Sequence, residues 1–259
     1  MPFANVKDAK LYYEFAGDVH LPVLVFSNGL GTNLHMWDGQ LLSFAKHFRV
    51  LRCDTRGHGK SDVTSGPYTI EQLSKDIVGL LDSLHLDRVY FCGLSMGGLI
   101  GMLLGTNFGN RFHKLVLCST AAKIGNTESW ETRIQTVKSG GMKAIASTVL
   151  ERWFTSGFRS AHPAEVQRVE AMLRATSPEG YAANCAAVRD SDQRNTVQNI
   201  HLPCLMVVGK DDPGTPPSEA QKLTKSIAGS QYAELPGSHL CSIESQDEFN
   251  QRVLQFLLA

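Results

Sequence analysis

The stretch Val89-Tyr90-Phe91-Cys92-Gly93-Leu94-Ser95-Met96-Gly97-Gly98 decides the fold of this chain. An apolar run leads directly into a G-x-S-x-G pattern, and an apolar segment rich in small residues, Leu99 to Leu104, follows it. This order predicts a strand, a sharp turn and a helix, with Ser95 at the apex of the turn. Glycines two positions before and two positions after the serine leave room for the strand and the helix to cross. The stretch therefore predicts that Ser95 is a nucleophile, which needs a base and an acid as partners.

Length and composition exclude several classes of protein. The 259 residues are enough for one large α/β domain with an inserted subdomain. The 25 Lys and Arg residues balance the 25 Asp and Glu residues and form no basic stripe, so we predict no nucleic-acid partner. No apolar run is long enough to cross a membrane, and Met1 to Asn5 lack the features of a secretory signal. We therefore expect a cytoplasmic protein with no membrane partner, whose widely spaced cysteines are free thiols. The sequence does not indicate an oligomeric state.

Short apolar strands alternate with amphipathic helices over most of the chain. The predicted strands are Val23 to Phe26, Phe48 to Cys53, Val89 to Cys92, Leu115 to Cys118, Cys204 to Val208 and Tyr232 to Leu235. Leucine and isoleucine at helical spacing between Leu73 and Leu84 predict a helix before the third of these strands. The alternation predicts the α/β class, with a mostly parallel sheet covered by helices on both faces.

The alternation stops between about Ala121 and Thr196. This segment contains four helix-like pieces and no convincing strand, and Ser177-Pro178 is a typical helix start. A helical block inserted into a parallel sheet is expected to cover the carboxyl ends of the strands, where ligands bind in open α/β sheets. We therefore predict a core formed by residues 1-120 and 196-259, and a four-helix cap formed by residues 121-195.

The two partners of Ser95 are expected after the cap, in the order carboxylate and then histidine. Asp211 and Asp212 follow the strand that ends at Val208, and His239 follows the strand that ends at Leu235. All these groups leave the carboxyl ends of strands, which is the edge where Ser95 is predicted to lie. Adjacent side chains point in different directions, so only one of the two aspartates can contact His239. Among the other histidines, His35 and His58 lie in loops that are expected near the pocket.

The reaction also needs donors for a developing oxyanion. We predict that these are the backbone N–H of Met96, directly after the nucleophile, and that of Leu30 in the glycine-rich loop after the first strand.

These motifs together resemble the α/β-hydrolases over essentially the whole chain. The G-x-S-x-G turn is joined by Asp54-Thr55-Arg56-Gly57-His58-Gly59-Lys60-Ser61, which is similar to the D-x-R-G-x-G-x-S loop of that family. Asp212 rather than Asp211 matches the G-x-x-D-x-x-x-P arrangement, Gly209 through Pro216, that is common in the family. The resemblance thus implies a triad of Ser95, Asp212 and His239.

Within this family the chain is most similar to the 3-oxoadipate enol-lactonases. The matching segments are Ser27-Asn28-Gly29-Leu30-Gly31-Thr32, Met36-Trp37, Gly66-Pro67-Tyr68-Thr69-Ile70-Glu71-Gln72-Leu73, Arg152-Trp153-Phe154-Thr155 and Glu179-Gly180-Tyr181-Ala182. Gly29 departs from the serine that we expect in those enzymes. The resemblance implies hydrolysis of 3-oxoadipate enol-lactone to 3-oxoadipate through a serine acyl-enzyme, in the bacterial β-ketoadipate pathway of aromatic degradation. It implies no metal and no organic cofactor.

The implied partner is a small anionic lactone, so a cation is expected in the pocket. Arginine binds a carboxylate through two parallel N–H bonds. Arg133 and Arg152 lie on predicted cap helices near large aromatic residues. We predict that Arg133 binds the carboxylate, with Arg152 as a further candidate, and that Trp153 forms a wall beside the ring. Cap arginines more often face solvent or pair with neighbours such as Glu131 and Glu151.

Two alternatives remain open at this point. Another serine hydrolase of the same fold, such as a carboxylesterase or a carbon–carbon bond hydrolase, would carry the same triad. A small-molecule receptor on a hydrolase scaffold would also retain it but would show little or no turnover.

Overall fold

The computed structural model describes residues 2–259 and contains one eight-stranded sheet. The strands are β1 (Phe3–Val6), β2 (Ala9–Ala16), β3 (Val23–Ser27), β4 (Arg49–Cys53), β5 (Val89–Leu94), β6 (Phe112–Cys118), β7 (Cys204–Gly209) and β8 (Gln231–Leu235). Their order in the sheet is β1-β2-β4-β3-β5-β6-β7-β8. All six predicted strands are present within a few residues. The two N-terminal strands, β1 and β2, were not predicted.

β1 and β2 differ from the predicted strands in how they pair and in how far they are buried. These strands pair antiparallel with each other, and β2 also pairs antiparallel with β4. The remaining neighbours pair in parallel. Strands β3 and β7 are buried along their whole length, which produces the continuous apolar runs that are easy to read. In contrast, β1 alternates between exposed and buried residues over only four positions.

Helices connect the strands and pack against the sheet. The core helices are α1 (Asp38–Phe44), α2 (Ile70–Ser83), α3 (Met96–Asn107), and, after the inserted segment, α9 (Pro217–Ser226), α10 (Cys241–Glu244) and α11 (Gln246–Leu258). Helix α3, which begins directly after Ser95, packs against β5 and β6 and is buried on most sides. The predicted α/β class with a mostly parallel sheet and covering helices is confirmed.

The inserted segment between β6 and β7 contains five α-helices. They are α4 (Thr127–Gly140), α5 (Ala146–Trp153), α6 (Ser156–Ala161), α7 (Pro163–Ala175) and α8 (Pro178–Asp190). The prediction of four helices was wrong because α6 has only six residues, no buried position and no apolar period. The predicted start of the last helix is confirmed, since the Ser177 hydroxyl accepts a hydrogen bond from the Gly180 N–H at 3.2 Å.

Helix α8 rests directly on the core. A Cβ atom at Gly180 would lie within 3 Å of the Gly57 backbone, and the Asn184 side-chain amide donates to the Arg56 carbonyl oxygen at 2.9 Å. Gly180 therefore permits a close backbone contact between α8 and the loop that follows β4.

The cysteines are free thiols, as predicted, and all six are buried. No helix within residues 2–259 is long and apolar enough to cross a membrane.

Candidate active site

The turn between β5 and α3 holds Ser95 in an unusual backbone conformation. Its φ is 57° and its ψ is −110°, a region that a residue with a side chain rarely adopts. The Ser95 N–H donates to the Cys118 carbonyl oxygen at 2.8 Å, and the Thr120 hydroxyl donates to the Ser95 carbonyl oxygen at 2.9 Å. Cys118 is the last residue of β6, and Thr120 follows it closely. The two hydrogen bonds stabilise a backbone conformation that on its own costs about 1–3 kcal/mol of free energy. The conformation presents the hydroxyl at the carboxyl edge of the sheet.

The glycines around Ser95 have the role that the sequence predicts for them. A Cβ atom at Gly93 would clash with the Gly97 carbonyl oxygen, and one at Gly97 would clash with the Ser27 carbonyl oxygen. The strand, the turn and the helix can therefore cross only because both positions lack a side chain.

Asp212 and His239 form a hydrogen-bonded pair at the same edge. The His239 Nδ1 lies 2.7 Å from the Asp212 Oδ2, and the Asp212 side chain is fully buried. An ionised carboxylate can only accept hydrogen bonds, so Nδ1 carries the proton in the neutral imidazole. The other ring nitrogen, Nε2, is then unprotonated and can act as a base.

The loop after β7 keeps the Asp212 carboxylate charged. The N–H groups of Gly214 and Thr215 donate to Oδ1 at 2.8 and 3.0 Å, and the Thr215 hydroxyl donates to Oδ2 at 2.7 Å. Burial raises the pKa of Asp212, but the charge and hydrogen bond of His239 and the bonds from Thr215 lower it below its ordinary value. The neighbouring Asp211 is exposed, and its side chain makes no hydrogen bond within residues 2–259.

Ser95 and His239 line one cavity of about 590 Å³, together with Asp212. No hydrogen bond joins the Ser95 hydroxyl to His239 in the part of the chain that the structure describes. Such bonds are often long without substrate and shorten when substrate binds. The structure thus brings the three predicted triad residues to one cavity.

Two backbone N–H groups beside Ser95 have no partner among residues 2–259. They belong to Leu30 and Met96, the two predicted oxyanion donors, and both residues are buried. The N–H groups on either side of Leu30 are occupied, because Gly29 donates to the Met36 sulfur at 3.4 Å and Gly31 donates to His58. Leu30 lines the cavity, so its N–H is available to a ligand oxygen.

His58 supports this loop and does not line the cavity. It is buried, and its Nε2 accepts the hydrogen bond of the Gly31 N–H at 2.9 Å. Burial lowers the pKa of His58 to about 4, so the ring is neutral near pH 7. The loop that contains His58 lies near the pocket, as expected, but the His58 side chain binds the backbone next to Leu30 and does not face the cavity.

Arg133 reaches the cavity from α4 without a carboxylate partner. Its guanidinium carbon lies 4.8 Å from the Trp130 ring centre, and it forms no ion pair within the described residues. Glu131, a neighbour considered as its partner, pairs instead with Arg189 at 2.7 Å. Burial and the Cys185 thiol raise the pKa of the nearby Tyr181 phenol, although Arg133 opposes this, so the phenol is neutral.

Arg152 and Trp153, at the end of α5, also line the cavity. Trp153 is 7% exposed and forms part of the wall, whereas Arg152 is exposed at the rim. All three predicted substrate-binding side chains therefore face the same space as Ser95.

Sequence reasoning missed two residues of this cavity, Thr215 and Tyr181. Thr215 binds the Asp212 carboxylate through its N–H and its hydroxyl. Its position three residues after an aspartate is typical of a turn that satisfies the aspartate side chain, and this signal was readable. Tyr181 lies in a segment that matches the resembled family, but no local signal indicates that it faces the cavity.

No group of three or more His, Cys, Asp or Glu side chains in residues 2–259 is arranged to hold a metal ion.

Known hydrolases are similar to this chain over most of its length. A family model described as alpha/beta hydrolase fold matches residues 22–246. The chain is 41% identical over 249 residues to 3-oxoadipate enol-lactonase 2 of Acinetobacter baylyi, which covers 96% of this chain and 93% of that protein. It is 33% identical to 3-oxoadipate enol-lactonase 1 of the same organism, over 95% of this chain and 92% of the relative.

A solved structure is similar over its full length. The crystal structure of the enol-lactonase from Burkholderia xenovorans superposes with a TM-score of 0.99 at 43% identity, covering 100% of both chains.

Proposed function

The chain belongs to the α/β-hydrolase family and is a hydrolase, and from this premise we propose that it hydrolyses 3-oxoadipate enol-lactone to 3-oxoadipate through a serine acyl-enzyme. The observation that carries the proposal is the cavity itself. Its lining includes Ser95 and the Asp212–His239 pair, and also the guanidinium of Arg133, which has no carboxylate partner within residues 2–259. A hydrolytic centre beside a cation fits an ester that carries a negative charge.

In the proposed acylation, His239 acts as the general base. Its Nε2 takes the proton of the Ser95 hydroxyl while the serine oxygen attacks the lactone carbonyl carbon. The negative charge on the carbonyl oxygen is stabilised by the N–H groups of Leu30 and Met96, each of which contributes about 3 kcal/mol in comparable sites. Asp212 holds the ring orientation and stabilises the imidazolium that forms.

Collapse of this tetrahedral intermediate breaks the ring C–O bond, and the leaving enolate oxygen takes the proton from the His239 imidazolium, which restores the neutral base. An enolate is a better leaving group than an alkoxide, and it stays attached to the acyl group because the ester was cyclic. His239 then takes a proton from water, the water oxygen attacks the acyl carbon, and the Ser95 oxygen leaves with the proton from the imidazolium. The enol product tautomerises to the ketone 3-oxoadipate.

The cap supplies the proposed selectivity for an anion. We assign the substrate carboxylate to the Arg133 guanidinium, with the neutral Tyr181 phenol beside it as a second polar group. Trp153 forms the wall against the ring, and Arg152 at the rim attracts the incoming anion. In this proposal residues 121-195 act as the cap over the core formed by 1-120 and 196-259.

The triad is tested by following the ultraviolet absorbance of the enol-lactone with purified variants. Ser95→Ala is expected to lower kcat by about ten-thousandfold or more, as nucleophile removal does in other serine hydrolases. Asp212→Asn is expected to cause a similarly large loss, because the amide favours the wrong imidazole tautomer. The exposed Asp211→Asn is the matched control and should keep wild-type activity. No lactone loss with wild-type protein would remove the proposed substrate.

The assignment of Arg133 is tested in the same experiment with Arg133→Met. Methionine replaces the aliphatic stem of the arginine but lacks the guanidinium and its charged hydrogen bonds, so kcat/KM for the lactone should fall about 10- to 100-fold. Activity on the neutral ester p-nitrophenyl acetate should stay within about twofold. Lys138→Met removes one positive charge from an exposed position of α4 and should change neither activity. Equal losses on both substrates would contradict a carboxylate-binding role.

A further inference from the structure

The loop that carries His239 is attached to the inserted helical segment by hydrogen bonds on both sides of the histidine. The Ser238 hydroxyl donates to the Arg152 carbonyl oxygen at 2.7 Å, and the Leu240 N–H donates to the Trp153 carbonyl oxygen at 3.0 Å. The residues on both sides of His239 are thus bound to the end of α5. The same short stretch of α5 provides two of the side chains that line the cavity.

Glu244 adds a third attachment through its carboxylate. Its Oε1 accepts hydrogen bonds from the Thr155 N–H at 2.9 Å and from the Thr155 hydroxyl at 2.7 Å. Its Oε2 accepts a short hydrogen bond from the Ser238 N–H. One carboxylate therefore joins the residue before His239 to the start of α6.

The backbone around Glu244 is shaped for this contact. Gly237 has a φ of +102°, and a Cβ atom there would lie 2.7 Å from the Glu244 Oε2. Glu244 ends the four-residue helix α10, and its own N–H donates to the Leu240 carbonyl oxygen at 3.0 Å. The glutamate therefore folds back onto the loop that holds the histidine.

We propose that Glu244 is a positioning residue, which sets the place of the His239 imidazole relative to Ser95 by joining the histidine loop to residues 152–155 of the inserted segment. This inference rests on the proposed serine-hydrolase function. Glu244 does not line the cavity, so it acts through the loop and not through the substrate. The base and the cavity wall formed by Arg152 and Trp153 then move as one unit.

The role requires a carboxylate. The Glu244 side chain is the acceptor in all three hydrogen bonds, and a carboxylate can accept at both of its oxygens. In Glu244→Gln one oxygen becomes an NH₂ group, which cannot accept from a backbone N–H. If this NH₂ faces Ser238, two donors meet and the histidine loop must shift. A displacement of about 1 Å is enough to lower a rate by up to about 100-fold.

The test measures how fast Ser95 reacts with a fluorophosphonate, followed by intact-protein mass spectrometry, because this reaction depends on the base and not on the lactone. Glu244→Gln is expected to slow labelling between about tenfold and about 100-fold. With p-nitrophenyl acetate, kcat should fall by a similar factor while KM stays within about twofold, since the substrate contacts are unchanged. Glu248→Gln, an exposed substitution of the same type on α11, is the matched control and should react like wild type.

A second variant keeps the proposal testable if Glu244→Gln fails to fold. Thr155→Val removes the hydroxyl bond to Glu244 and should slow labelling to a smaller extent, whereas Thr155→Ser keeps the hydroxyl and should restore the rate. Where Glu244→Gln and Thr155→Val both fold, the double variant that combines them should react no more slowly than Glu244→Gln alone, because the two side chains act through one contact.

The outcomes separate this inference from the proposed function. Wild-type labelling that Ser95→Ala abolishes, together with an unchanged rate in Glu244→Gln, would overturn the role of Glu244 alone. Independent, multiplying losses in the double variant would overturn it as well. Absence of labelling in the wild type would overturn the serine-hydrolase proposal and this inference with it.

Discussion

At the scale of single residues, the neighbours of each ionisable group determine its state. Asp212 is buried yet charged, because Thr215 and His239 donate hydrogen bonds to it. That charge in turn places the proton of His239 on Nδ1 and leaves Nε2 as the base. His58 shows the opposite case, since it is buried without a carboxylate partner and stays neutral. Two histidines of one site thus differ: His58 holds a loop, and we propose that His239 transfers a proton.

The neutral state of His58 predicts a loss of stability in acid. Burial lowers the pKa of His58 from 6.5 to about 4, so between these values the unfolded chain binds a proton that the folded chain does not. The free energy of unfolding should therefore fall as the pH drops from 7 to 4, by up to about 3 kcal/mol from this residue. His58→Gln keeps an acceptor for the Gly31 N–H but does not titrate. Urea unfolding at several pH values should show the extra slope in wild type only, and identical slopes would contradict the prediction.

At the scale of elements, the site depends on close backbone contacts that only glycine permits. The crossing of β5 and α3 needs Gly93 and Gly97, and the contact of α8 with the core needs Gly57 and Gly180. Gly57 has a φ of +81°, which is a further reason for glycine at that position. The turn motif makes the first pair readable in the sequence, whereas the second pair joins segments far apart in the chain.

The contact of α8 with the core predicts opposite effects for two glycine-to-alanine substitutions in helices. In Gly180→Ala the new Cβ would overlap the Gly57 backbone, so the free energy of unfolding should fall by about 1–3 kcal/mol despite the better helix propensity of alanine. In Gly157→Ala of α6 nothing lies within 4 Å of the new Cβ, so stability should rise by up to about 1 kcal/mol. Urea unfolding measures both. A neutral or stabilising effect of Gly180→Ala would show that α8 is loosely held.

At the scale of the whole molecule, charge is balanced and the attraction for an anion is local. The 25 basic and 25 acidic residues leave no net charge, and Arg189 and Glu131 form an ion pair on the inserted helices. Arg133, inside the cavity, lacks such a partner within the described chain. In the proposed function, recognition of a carboxylate therefore depends on contact at short range and not on a field around the protein.

This charge balance predicts a weak response to salt. Raising NaCl from about 20 mM to about 500 mM shortens the Debye length from about 20 Å to about 4 Å and removes long-range attraction. The kcat/KM for the anionic lactone should change by less than about threefold, whereas electrostatically steered association changes by tenfold or more. The neutral ester p-nitrophenyl acetate is the control and should show no change. A tenfold fall for the lactone alone would indicate steering that the net charge does not predict.

The fold class follows from the sequence alone, because the period of apolar residues and the glycines around Ser95 restrict each segment locally. It also placed Ser95, Asp212, His239, Leu30 and Met96 after strands, and parallel strands end at one edge of a sheet. Their catalytic roles remain predictions. The sequence analysis missed β1 and α6, which have only four and six residues, and β2, whose second half is only partly buried.

Which polar groups form hydrogen bonds with one another is known only from the three-dimensional structure. The hydrogen bond from Gly31 to His58, the hydrogen bonds of Glu244 to Thr155 and Ser238, and the position of Arg133 in the cavity all join segments that lie far apart in the chain. Whether a polar group is paired, buried or free for a ligand depends on these contacts in space. A local pattern restricts the conformation of its own segment, but it does not determine which distant segment will pack against it.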